Sequence, residues 1–280
     1  MDWLPIETID GSPWLNKLIP LFSAHYKNTL PVINKVFCRQ MESKKQPDIC
    51  VFALGYMTVE DFMEALLLSC HGYGLGGLKI LRAMYEHHVT ASYLAKFPEE
   101  TSAFVNYEYI TTRKFFRRAA EFKDLEPMLQ SMGGQEVRQE NEQNAANVEK
   151  NYVTEICKEC HATGPQPSWS KLPTDAMARK VSAGLYGLYG PYFLVPTWHL
   201  HTSFHAIASR QNPENGELKF DRPPDDYIQQ ALLSVDTLLV EALKLQESYF
   251  DLGLQRDIEA VKCSSDETWA HLIADVKNQS

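Results

Sequence analysis

A chain of 280 residues with 44% apolar content holds enough hydrophobic material for a substantial core, as one large domain or two small ones. Its formal net charge of -9 argues against general affinity for nucleic acid or anionic membranes, although a local basic patch can act against that background. Six cysteines (Cys38, Cys50, Cys70, Cys157, Cys160, Cys263) are too few and too scattered for a disulfide scaffold, so reduced thiols are expected. No apolar run approaches the roughly eighteen residues of a membrane span. The opening MDWLPIETID carries acid instead of a basic leader followed by an apolar stretch, giving the expectation of a cytoplasmic protein with no membrane partner.

Helical periodicity dominates, predicting an all-α multi-helix bundle folded as a single domain. Its expected organisation is an N-terminal helical segment over 1–57, a helical core over 58–210 and a C-terminal helical pair over 211–280 packing on that core. Ser12 before Pro13 has the arrangement of a helix start, opening a helix to about residue 43 that Pro31 must kink or split. VFALGYM at 51–57 is the only segment considered as a strand. Thr58 with Asp61 resembles a capping box in position and starts a helix that runs to about Lys96, where Pro98 stops it.

A third helix is expected from about Glu99 to Lys123 and a polar fourth from about Glu126 to His161, with Gly133 and Gly134 as an interruption. The middle of the fourth, EVRQENEQNAANVEKN, has little to bury and reads as a solvated helix or flexible excursion. GPQPSWSKLP at 164–173 is a loop and a helix follows from Thr174. Pro191 and Pro196 break the next apolar run into two pieces, RQNPENGELKFDRPPDD is a surface loop, and two helices close the chain near 225–251 and 254–277.

Several signatures compete in CHGYGLGGLKILRAMYEHH, residues 70–88. Gly72, Gly74 and Gly77 fit a dinucleotide-binding spacing, but that loop needs a preceding strand, and VEDFMEALLLSC reads as helix. Small residues at a close helix crossing, or a break in a long helix, account for the glycines better. CKECH at 157–161 satisfies haem-attachment spacing without the export signal that attachment requires, and zinc there lacks a matching second pair of ligands.

Arg82 and Glu86 sit four residues apart on a helix whose other sides are apolar, and that face continues to Tyr93. Charges in such a helix need partners, and TWHLHTSFHA at 197–206 offers candidates. His201 and His205, four apart, can chelate a divalent metal, with Glu86 or His71 completing the shell. Otherwise the cluster satisfies hydrogen bonds in a polar core, and no cofactor is expected. Tyr186, Tyr189 and Tyr192 approach the same region and would add hydroxyl donors. Further on, RKFFRR stacks Arg113 with Arg117 and Lys114 with Arg118, with Phe115 and Phe116 facing the core. An anionic partner such as a phosphate backbone would relieve that repulsion, as would nearby Glu99, Glu100 and Glu121 on a solvated face.

With these residues the chain resembles a widespread, functionally unassigned family of bacterial all-helical proteins, over roughly residues 60–210. The matching positions are Arg82, Glu86, Tyr93, Leu94, Pro98 and Glu99, then Trp169, Tyr189, Tyr192, His201 and Ser203. More distantly the architecture is similar to the HEPN group, which includes metal-independent RNases of toxin and phage-defence systems built on Arg, four to six residues, then His. That resemblance implies RNA cleavage or nucleic-acid binding in bacterial stress or phage defence, using Arg82 with His87 or His88. His would act as general acid or base for attack by a ribose 2′-hydroxyl, and Arg would stabilise the charged transition state. The catalytic candidates are thus Arg82, Glu86, His87, His88 and His201, with RNA, a homodimer mate or a protein partner. Binding candidates are Tyr93, Tyr189, Tyr192 and the Arg113, Lys114, Arg117, Arg118 face. Two rival expectations are a metal-dependent hydrolase using Glu86, His201 and His205, and a non-catalytic helical interaction module.

Overall fold

A computed structural model describes residues 13–155, 159–161, 163–200, 207–208, 211, 215–217 and 225–277. The fold is all-α, relieved by one small two-stranded sheet. The chain divides into two compact units, one formed by residues up to Lys96 together with those from Thr174 onward, the other by Phe97–Pro173.

The larger unit contains α1 (Pro13–Phe37), α2 (Gln46–Cys70) and α3 (Gly74–Lys96) from the first part of the chain. It continues with α7 (Thr174–Val181), α8 (Ala183–Gly187), a π-turn at Gly190–Leu194 and α9 (Val195–Leu200), and closes with α10 (Asp225–Phe250) and α11 (Gln255–Lys277). Its framework is the antiparallel α2–α3 hairpin packed on α10. Ile228, Leu232, Val235, Leu239, Ala242 and Gln246 recur along α10 at alternating intervals of four and three, the period that keeps one face inward, and all are buried. Leu78, Leu81, Met84 and Tyr85 of α3 and Phe62 and Leu66 of α2 fill the same core.

Four expectations change here, the first that one helix runs through to about Lys96: there are two, α2 ending at Cys70 and α3 starting at Gly74. VFALGYM is not a strand but lies inside α2, where Val51, Leu54, Gly55, Thr58, Val59 and Phe62 are buried at helical spacing. Thr58 is no helix start, because its hydroxyl donates 2.8 Å to the Leu54 carbonyl one turn back, and α2 opens at Gln46 with Pro47 in its first turn. Of the kink or split expected at Pro31 the split is excluded, and α1 ends at Phe37 instead of near residue 43. Ser12 lies outside the described residues.

The glycines of the opening motif serve the helix crossing. The chain turns between α2 and α3 through Gly72, whose φ of 86° favours glycine. A Cβ on Gly74 would stand 2.4 Å from the Ile228 backbone nitrogen, and one on Gly77 would stand 2.3 Å from Ser69 Oγ and 3.1 Å from Ala231 Cβ. The backbones of α3 and α10 therefore meet at a distance only glycine permits.

The smaller unit holds α4 (Thr101–Ala119), α5 (Glu126–Ser131) and α6 (Gly134–Val148). A 3₁₀ turn at Glu149–Tyr152 follows, then β1 (Val153–Glu155), which pairs antiparallel with β2 (Thr163–Pro165). Gly133 and Gly134, both at positive φ, provide the interruption between α5 and α6. Tyr107, Ile110, Ala145 and Tyr152 form its core, with Tyr107 and Tyr152 edge-on at 5.2 Å. The two phenols donate outward, Tyr107 to the Gln166 carbonyl and Tyr152 to the Ala103 carbonyl.

Because a backbone nitrogen cannot yield as a side chain does, Gly74→Ala should lower stability by about 1–3 kcal/mol. Gly187→Ala, where a Cβ meets nothing within 4 Å, should not. Urea midpoints at unchanged slope measure both.

Candidate functional site

Helix α3 carries the predicted arginine, glutamate and histidines, and its geometry decides which of them meet. At 3.6 residues per turn, Arg82, Glu86 and Tyr93 fall within about 40° of one another, His87 lies roughly 140° away from Arg82, and His88 faces a third direction.

On the first face the Arg82 guanidinium lies over the Phe193 ring, 4.6 Å from its centroid, and 3.7 Å from the Glu86 carboxylate. Phe193 belongs to the π-turn and stacks on Tyr189, with centroids 4.9 Å apart and planes 17° from parallel. Tyr85 packs against both rings and donates its hydroxyl to the Leu185 carbonyl at 2.9 Å. Burial raises the Tyr189 phenol above its usual value, Asp175 adding to the rise and Arg82 opposing it. One turn earlier, Arg179 of α7 lies 4.3 Å over Tyr186 and donates 2.7 Å to its hydroxyl. The arrangement is a partly exposed series of arginines backed by aromatic rings. Tyr93, also near this face, is buried, and Tyr192 is buried too, which raises its phenol while Ser234 and Thr237 oppose the rise.

On the second face His87 Nδ1 lies 2.7 Å from Asp61 Oδ2 of α2, both side chains half-buried. That contact fixes the imidazole's orientation. The structure therefore does not bring Arg82 and His87 together within one chain.

On the third face His88 and Ser92 line a cleft of about 1160 Å³ bounded by α3, α7, α8, α10 and the start of α11. Burial pushes the His88 imidazole down to about 4, and Glu241 only partly counters this, so the ring is neutral near pH 7.

In the smaller unit the basic stripe meets acids from far along the chain. Arg113, buried, donates to Glu149 through both terminal nitrogens at 3.2 and 2.5 Å and lies 3.9 Å from Glu142. Arg117 donates 2.6 Å to Glu142, while Lys114 reaches the Tyr107 hydroxyl and Gln166 carbonyl at 3.4 and 3.5 Å. Arg118 is exposed. Hydrogen bonding by Arg113 lowers the Glu149 carboxyl. Phe116 faces inward as expected, but Phe115 is 40% exposed, since adjacent residues on a helix cannot share one face.

His201, Ser203, His205 and Cys157 lie outside the described residues. Among the described residues no group of three or more His, Cys, Asp or Glu is placed to hold a metal ion. No described helix is long and apolar enough to cross a membrane.

A buried network was not foreseen. His25 of α1 bonds Asp236 of α10 at 3.0 Å through Nε2 and Ser264 of α11 at 2.9 Å through Nδ1. Asp236 also accepts from Ser265 and from Trp269 Nε1. The order Ser, His, Asp is that of a hydrolytic triad, but Ser264 sits within α11, whose amides are committed to helix bonds and cannot hold an oxyanion. The network is a polar cross-link of three helices. Its sequence signal was an Asp inside the apolar run ALLSVDTLLV.

The model of a family of unknown function, DUF5677, matches residues 51–218. The chain belongs to this family. No curated protein and no solved structure matches it. The DUF5677 match spans the Arg82 series and the His87–Asp61 pair and ends before α10, so the cleft wall at Glu241 and beyond comes from outside the matched stretch.

The His88 shift has a measurable consequence. Below the ordinary histidine value of about 6.5 the unfolded chain takes up a proton that the folded chain refuses until about pH 4. Stability therefore falls as pH drops across that window, by up to about 1.4 kcal/mol per pH unit for this group. Urea unfolding at pH 7, 6 and 5 should show the wild-type advantage over His88→Gln shrinking with each step down.

Proposed function

We propose that this chain is a HEPN-like helical effector that binds single-stranded RNA on the arginine–aromatic series of α3, α7 and the π-turn. The observation that carries this reading is the Arg82–Phe193–Tyr189 stack. An arginine stacked on a ring beside a half-exposed carboxylate is held in one orientation at the surface, and partly exposed tyrosines give π-faces on which unstacked bases pack. Arg179 and Tyr186 repeat the pairing beside it. This relocates the expected phosphate contact from the Arg113–Arg118 stripe, where Glu142 and Glu149 already oppose the charge. A net charge of -9 confines such binding to this local surface.

Metal-independent cleavage is the catalytic form of the same reading. The His87–Asp61 pair favours it, because a carboxylate-oriented imidazole suits proton transfer at a 2′-hydroxyl. Since Arg82 and His87 diverge on one helix, a cleaving site requires His87 from a second copy beside Arg82.

Anisotropy with a labelled single-stranded RNA tests binding. Arg82→Ala and Tyr189→Ala should each weaken it by about 1–3 kcal/mol, and added salt should weaken wild type more than Arg82→Ala. Arg113→Ala should leave RNA affinity unchanged, and equal loss there would return the contact to the smaller unit. Incubation of the RNA in EDTA tests cleavage, which should need both Arg82 and His87 and rise with the fraction of dimer.

A further inference from the structure

The cleft on the third face of α3 has a chemistry that the RNA reading leaves unused. Its walls include apolar Val181, Leu185, Leu188, Leu245 and Ile258. Against them stand three polar side chains that are more than nine-tenths buried: His88 at 5% exposure, Ser92 at 7% and Glu247 at 6%. No hydrogen bond or ion pair of these three side chains is found among the described residues. The three groups therefore offer the cleft a hydrogen-bonding capacity that the described residues leave unused.

The cations that line the same cleft do not use it. Lys244 is bonded to Glu241 at 2.7 Å, and Lys96 donates to the Lys180 and Val181 carbonyls at 2.9 Å each. Arg256 is exposed. Elsewhere the protein satisfies its buried carboxylate fully, as Asp236 shows with His25, Ser265 and Trp269. Glu247 differs in opening onto a cavity.

We propose that this cleft is a binding site for an organic amine with an apolar body, its ammonium held by Glu247. An ammonium has three donors and no acceptor, and the cleft presents a carboxylate, a neutral imidazole with one free lone pair and a serine hydroxyl. The neutrality of His88 fits this, since a protonated ring would repel the ligand. The aliphatic residues receive the rest of the molecule, and the volume of about 1160 Å³ accommodates a ligand of ordinary metabolite size. The site is independent of RNA binding and involves neither Arg82 nor Tyr189.

Isothermal titration with three probes of equal length decides the matter: octylamine, octanol and octanoate at pH 7 on the full chain. Octylammonium should bind about tenfold or more tighter than octanol, with octanoate weakest, as expected of one charge-assisted hydrogen bond to a buried carboxylate. Glu247→Gln should remove the preference for the amine, and Leu188→Trp should block all three probes by filling the cleft. Without ligand, Glu247→Gln should melt at the same temperature as wild type or higher, because no hydrogen bond or ion pair among the described residues is lost. Equal affinity for the three probes, no binding of octylammonium, a preference that survives Glu247→Gln, or a lower melting temperature in that variant would each overturn the proposal.

Discussion

The close approach of α3 to α10 sets the terms for everything else in the larger unit. Gly74 lies against the backbone at Ile228 and Gly77 against the small side chain of Ala231, so the two helices approach closely. The hairpin with α2 closes a second side of α3, and α7 with the π-turn closes a third. A helix walled in this way can display different chemistry in each direction. Arg82, His87 and His88 stand within seven residues and share no environment: aromatic rings meet the first, a carboxylate the second and an open cleft the third.

Buried polarity in this protein takes two forms. The His25–Asp236 network is closed, each group answered by another from a neighbouring helix, and such a network fixes the register of α1, α10 and α11. His88, Ser92 and Glu247 are open: they face a cleft bounded by α3, α7, α8, α10 and the start of α11, and no described side chain there bonds them. Closed networks specify a fold, whereas open ones forfeit stability unless something outside the chain completes them. The division also follows the chain. Of the open set, Glu247 lies in α10, beyond the stretch shared with DUF5677, so the cleft is a property of this architecture as extended by its last two helices.

Helical class, the break at Gly133, the loop before Thr174 and the final helix pair were legible because each rests on local chemistry: period, positive φ, proline and glycine. The reading of the opening glycines as a crossing was legible for the same reason. What failed were inferences that depended on distant neighbours. VFALGYM has the residue types of a strand but sits where six buried positions at helical spacing outweigh propensity. Thr58 looks like a cap and instead bonds back along its own helix. At the candidate site, Arg82 with Glu86 and Tyr189 could be read from spacing and proximity, whereas Phe193 beneath the guanidinium could not. Glu247 gave no signal, since a glutamate in LKLQESY is indistinguishable from a solvated one until α3 and α8 are placed around it.

The charge pattern of the smaller unit carries the same lesson into function. RKFFRR is locally unbalanced, and from sequence the acids expected to balance it are Glu99, Glu100 and Glu121. The acids that meet it are Glu142 and Glu149, 25 to 36 residues away along the chain, on and just after a helix whose polarity looked like a sign of weak structure. That helix is polar because it supplies counter-charge: Asn141 bonds the Tyr109 carbonyl, Ala145 packs in the core, and the glutamates between and beyond them hold the arginines. Arg113 commits both terminal nitrogens to one carboxylate, whereas Arg82 rests on the Phe193 ring beside Glu86 and Arg179 on the Tyr186 ring while donating to its hydroxyl. Density of positive charge along the sequence therefore does not by itself mark a surface open to an anion, because folding brings acids from far along the chain onto Arg113 and Arg117.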